Sequence, residues 1–137
     1  MNELPAQALL DRMHGTLGGF YAGTTADVAV RELFTPDVAW HVPGRNAIAG
    51  DYLGVDEVLD YLARRRDIAS GTFRMHPRET LTGDQGHVGV LIDGTATIAG
   101  VEHHWSTLGL YRFVGDRIAE CWLLPLDPPA FDLVWQA

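Results

Sequence analysis

The stretch from His87 to Leu124 reads HVGVLIDGTATI (87–98), then Ala99-Gly100, then VEHHWSTLGLYRFV (101–114), then Gly115-Asp116, then RIAECWLL (117–124). Long runs rich in β-branched and aromatic residues, parted by two-residue glycine turns, are the pattern of consecutive hairpins. Strands joined so tightly must pair antiparallel. A further run from Thr72 to Leu81 precedes them across Thr82-Gly83-Asp84, so three or four strands are expected after Gly71. Pro125, Pro128 and Pro129 then stop the sheet, leaving Ala130 to Gln136 as a short tail of one helical turn.

Ahead of this meander the period changes from two to 3.6. Leu9, Leu10, Met13, Leu17, Phe20 and Tyr21 share one helical face, with Pro5 in a first-turn position and Gly23 as terminator, which predicts a long first helix. Thr24-Thr25-Ala26-Asp27 supplies a capping hydroxyl and an early acid for a second helix through Val28, Leu33 and Phe34, ended by Thr35-Pro36-Asp37. Val38 to Val42 reads as a short strand and Pro43 to Gly54 as a loop. Val55, Val58, Leu59 and Leu62 mark a third helix from Val55 to Arg66. Three helices followed by a strand meander make an α+β domain. Strands of this length twist, and the helices must cover one sheet face to bury their stripes, so a cone with a pocket between the layers is expected.

Composition narrows the function. At 137 residues the chain can bury enough surface to fold without staples. Its net charge of −8 excludes nucleic acid as a partner, because phosphate binding draws on clustered cations. The one basic run, Arg64-Arg65-Arg66, reads as the solvated end of the third helix. There is no lysine, which removes Schiff-base chemistry and the phosphate-loop motif. Neither a metal site nor any cofactor is expected, since no His-x-His pair, helical His-x-x-x-His, Cys-x-x-Cys or dinucleotide fingerprint occurs. The lone Cys121 suits a reducing compartment. No run is apolar enough to span a membrane, and Met1 to Pro5 lacks the basic start of a secretory signal, so a cytoplasmic location is the expectation.

The element order, with Glu32-Leu33-Phe34-Thr35-Pro36-Asp37-Val38 and Gly115-Asp116-Arg117-Ile118-Ala119-Glu120, resembles the nuclear transport factor 2-like (NTF2-like) superfamily. Trp40 to Asn46 and Ala49 to Gly54 look like its SnoaL-like group of polyketide-cyclase relatives. The resemblance takes the whole chain, 1–137, as one such domain. It implies an NTF2-like cone and a small-molecule site, on a scaffold that hosts isomerases, dehydratases, cyclases, epoxide hydrolases and non-catalytic binders. Two of these sets are incomplete here. The ketosteroid-isomerase base and oxyanion pair fall on Val42, Gly18 and Gly109, and of the limonene epoxide hydrolase triad only Asp93 is matched, its partners falling on Leu91 and near Leu123.

The leading expectation is a cofactor-free acid-base enzyme acting on a hydrophobic small molecule, the alternative a non-catalytic ligand carrier. His41 is the first candidate for proton transfer, because imidazole titrates near neutrality; it would otherwise bond a backbone carbonyl and fix the Pro43 loop. Trp40 and His41 must face opposite sides of their strand. Asp93 interrupts an apolar run and is either edge-exposed or a site residue. With Gly109 taken as pocket-facing from the resemblance, His103, Trp105 and Thr107 face inward with it, and a bulge would bring in His104 instead. The ligand walls are expected from Tyr21, Trp40, Tyr52, Trp105, Thr107, Cys121 and Leu123. Arg45 and Asn46 are turn residues or a gate, and Cys121 packs inertly. His14 reads as a surface histidine. A homodimer through a convex sheet face carrying Leu108 and Leu110 completes the expectation.

Overall fold

A computed structural model of the chain describes residues 5–136, so the reading of Met1 to Leu4 lies outside the described residues. Helix α1 (Ala6–Tyr21) buries the predicted stripe of Leu9, Leu10, Met13, Leu17, Phe20 and Tyr21. Helix α2 (Asp27–Arg31) is shorter than its start signal suggested. Phe34 already belongs to strand β1 (Phe34–Val42), and Pro36 is absorbed because the pairing with β6 slips between Phe34 and Ala39, an irregularity at which a missing N–H is tolerated. Strand β2 (Gly50–Leu53) lies inside the stretch read as a loop. It is a four-residue edge strand, too short and too rich in glycine and aspartate to show a period.

Helix α3 (Val55–Ile68) is followed by β3 (Arg74–Thr82), β4 (His87–Ile98), β5 (Val101–Val114) and β6 (Arg117–Pro125). The bounds of β4 and β5 are those expected from the sequence, because Ala99 and Gly100 both take positive φ and close the hairpin in two residues. The tail forms α4 (Pro128–Val134), longer than one turn. The Asp127 carboxylate accepts from the Ala130 N–H at 3.2 Å, and Pro128 and Pro129 occupy first-turn positions where no donor is needed.

The six strands form one curled, unclosed sheet in the order β2-β1-β6-β5-β4-β3. β1 and β6 run parallel and every other neighbouring pair antiparallel. The layer is therefore the expected α+β arrangement of helices on a bent sheet. On its inner face Val88, Val90, Ile92, Ala96 and Ile98 of β4 meet the buried faces of α1 and α3 in one core.

Alternation decides what each strand shows to that core. Trp40 is 2% exposed and faces inward, so His41 faces out. The same alternation puts Gly94 and Gly109 on the inner face, where their lack of a Cβ lets rings approach closely. A Cβ at Gly94 would stand 2.6 Å from the Trp105 ring, and one at Gly109 would stand 2.6 Å from the Tyr111 hydroxyl.

Candidate functional site

Between the inner sheet face and α1 and α3 lies a cavity of about 30 Å³, room for roughly two waters. The sheet supplies Trp40, Ile92, Trp105, Thr107, Tyr111 and Leu123; the helices supply Leu17, Tyr21 and Arg65, with Phe73 and Met75 at the entry to β3. Met75, unbranched and half-buried, is the wall residue best able to move aside. Phe73 stacks on Trp105 at 5.6 Å between centroids, and Trp40 packs against Tyr61 and Tyr111 at 5.8 and 6.2 Å.

Arg65 sets the electrostatics of this space, and here the sequence reading is corrected: it is not part of a solvated helix end but only 5% exposed. Its position is seven residues beyond Val58 and three beyond Leu62, which places it on the apolar stripe of α3. That spacing was the available signal; the charge run hid it. Its Nη1 donates to the Tyr61 hydroxyl at 3.1 Å, and its Cζ lies 4.3 Å from the Phe73 ring centre and 4.7 Å from that of Trp135. The π faces partly replace lost water. Its Nε has no hydrogen-bond partner, and neither has the buried Thr107 Oγ1.

Among the described residues, the groups that act on this cation are the Tyr61 and Tyr21 hydroxyls rather than carboxylates. Burial pushes the Tyr21, Tyr61 and Tyr111 hydroxyls up, and pushes the Cys121 thiol well up, so all four neighbours are neutral at physiological pH. The cavity thus carries one positive charge and a set of neutral donors.

The expected ligand-wall residues divide accordingly. Tyr21, Trp40, Trp105, Thr107 and Leu123 line the cavity. Cys121 is fully buried in the core beside it. Tyr52 stacks on Tyr61 at 4.6 Å from the far side, donates to the Ile48 carbonyl and accepts from Arg64 Nη2 at 2.6 Å. Arg65, Phe73 and Met75 line the space without having been assigned to it.

The expected proton-transfer residues lie elsewhere, and the fold does not bring them together. His41 stands on the outer face, its Nδ1 2.7 Å from Asp51 Oδ1 and its Nε2 2.7 Å from Glu120 Oε2. With a carboxylate on each nitrogen, the protonated ring donates to both. Desolvation opposes that charge, but the two carboxylates outweigh it and raise the pKa. The ring also stacks on Trp122 at 5.8 Å, beside a shallow cleft with Pro43 and Leu124. Asp93 is on the outer face too, accepting from Ser106 Oγ at 2.6 Å and pairing with Arg78 Nε at 2.9 Å. Between β1 and β4 stand β6 and β5, so His41 and Asp93 are about 14 Å apart across the sheet alone. His103 has inward parity, but it lies toward the end of the β4–β5 hairpin in a groove with Val101 and Leu133. His104 faces out and pairs with Glu102 at 2.7 Å.

Two further residues differ from their sequence reading. His14 is half-buried with an unpartnered Nε2, and burial lowers its pKa against the pull of Asp11. Asn46 donates to Asp132 Oδ1 at 2.7 Å, and the Arg45 N–H reaches the same oxygen at 3.0 Å, so this turn fastens α4 to the sheet.

The model of the SnoaL-like domain family matches residues 19–121. The uncharacterized protein Rv0034 of Mycobacterium tuberculosis (strain ATCC 25618 / H37Rv) is 30% identical over 126 residues, covering 92% of this chain and 95% of that protein. Among solved structures, Bal32a from a soil-derived mobile gene cassette superposes with a TM-score of 0.83 at 25% identity, over 96% of this chain and 98% of its own. TerC, co-crystallized with polyporic acid, superposes at 0.73 with 18% identity, over 90% of this chain and 94% of its own.

Proposed function

Because this chain belongs to the SnoaL-like domain family, we propose that it binds a flat, largely apolar small molecule between its helices and the inner face of its sheet, where Met75 moves aside to widen the two-water cavity. The observation that carries this reading is the ring-walled cavity lined also by Arg65 and Thr107, whose buried Nε and Oγ1 have no hydrogen-bond partner. Aromatic walls with a few convergent polar groups are what an oriented organic ligand requires. Benzamide, a neutral flat probe, titrated calorimetrically into the native chain is expected to bind saturably, and Met75→Trp, which fills the cavity, is expected to abolish it. No saturable binding, or binding unaffected by Met75→Trp, overturns the proposal.

A second reading, cofactor-free acid-base catalysis on a hydrophobic substrate, is favoured by His41 and its two carboxylates beside the outer cleft. In its protonated form, which the two carboxylates favour, His41 would act as a general acid; Asp93 and His103 stand too far away to share its chemistry. Loss of turnover in His41→Ala with full turnover in His14→Gln is its expected signature. The macromolecular partner that fits best is a second copy, packed through the outer sheet face where Leu108, Leu110, Trp122 and the exposed Leu124 gather. Sedimentation of the native chain against Leu110→Glu tests it. A reducing, cytoplasmic setting suits the single buried thiol. No helix of the described residues is long and apolar enough to cross a membrane.

A further inference from the structure

We infer that the molecule received by the inner cavity is a planar organic monoanion, an aryl carboxylate or a stabilised enolate, whose charged oxygen docks on Arg65. The inference rests on the cavity being the ligand site and adds the ligand's charge and orientation.

Three observations carry it. First, Arg65 lines the cavity and is 5% exposed, and its buried Nε has no acceptor. A guanidinium cannot shed its proton to escape burial, so both the charge and the free donor persist until something else supplies an acceptor. A neutral carbonyl would satisfy the donor and leave the charge; a carboxylate or enolate oxygen satisfies both.

Second, the ring clamp holds the cation without neutralising it. Phe73 at 4.3 Å and Trp135 at 4.7 Å flank the guanidinium, the Tyr61 hydroxyl accepts from Nη1, and Tyr21 is the second neutral hydroxyl against it. Its planar orientation is therefore set before a ligand arrives, and the ordering cost of binding falls.

Third, the rest of the chain limits the ligand to a single charge. The exterior is acidic, with a net charge of −8, and repels polyanions such as phosphate esters. Inside, one cation faces walls that are otherwise apolar or neutral, so a second negative charge would lie buried without a partner. The remaining body of the ligand meets Trp40, Trp105 and Tyr111, surfaces suited to a flat π system.

The test compares two probes of one shape, benzoate and benzamide, by calorimetry at neutral pH. The native chain is expected to bind benzoate at least about tenfold more tightly than benzamide, the worth of one charge-assisted hydrogen bond. Arg65→Gln is expected to bind the two equally, and Arg65→Lys to recover part of the preference. Equal binding of the two probes by the native chain overturns the inference while leaving the cavity reading intact, and that result needs no variant to fold. A benzoate preference that survives in Arg65→Gln overturns it as well. If neither probe binds the native chain, the cavity reading and this inference fall together.

Discussion

The Cζ of Arg65, in the last turn of α3, lies 4.7 Å from the centre of the Trp135 ring, the residue that ends α4. Through this contact the C-terminal helix becomes part of the wall behind the cavity. Trp135 is fully buried and also meets Phe73 and Trp105 edge-on at 5.7 and 5.5 Å. Trp135→Ala is expected to lower unfolding free energy by about 3–5 kcal/mol, and Trp135→Phe by less because a π face remains over the guanidinium. Urea denaturation of both variants measures the difference.

Arg65→Met should do the opposite in the ligand-free chain. Removing a buried cation that lacks a carboxylate relieves a desolvation cost, while the lost hydrogen bond to Tyr61 costs about 1 kcal/mol. A net gain of about 1–3 kcal/mol is expected, read as a raised denaturation midpoint. A large loss would mean that the ring clamp and Tyr61 over-compensate the buried charge.

Folding stability should depend on His41 in one pH window. Its pKa is raised in the folded state, so its contribution is fully present below the unfolded value of about 6.5 and is lost as pH rises through the folded value. Native chain and His41→Gln are expected to differ most at mildly acidic pH and to converge in alkaline solution. Denaturation series at both ends of that range check the sign.

Adding a methyl group under the rings should loosen the cavity wall. Gly109→Ala places a Cβ 2.6 Å from the Tyr111 hydroxyl, and overpacking of this kind costs about 1–3 kcal/mol. The same variant should weaken benzamide binding by displacing Tyr111. Thermal melts and calorimetry together separate the two effects.

Cys121 should be chemically silent. It is fully buried and its thiol is held well above the ordinary range, chiefly by desolvation. Iodoacetamide is expected to label it in denaturant and to leave it unlabelled in the native chain at neutral pH, as intact-mass spectrometry would show.

Much of this architecture was legible in local patterns. The bounds of β4 and β5 follow from two-residue turns at Ala99-Gly100 and Gly115-Asp116, and α1 and α3 from apolar stripes, because turn chemistry and periodicity act within a few residues. Trp40, Trp105 and Thr107 reached the cavity by strand alternation, which the sequence carries once one inward residue is known.

Tertiary structure alone decided the rest. The parallel contact of β1 with β6 joins residues some eighty positions apart, such as His41 and Trp122, and no local period announces such a pair. That contact brings Glu120 to His41 on the outer face, away from the cavity where a proton-transfer group had been expected. Arg65 shows the same division: its residue type and helical position are fixed by the sequence, but whether a cation on the apolar stripe reaches water or is sealed in depends on Phe73 and Trp135 arriving from other parts of the chain. Periodicity assigns a residue to a face; only the elements packed over that face determine whether its charge is solvated or left for a ligand to meet.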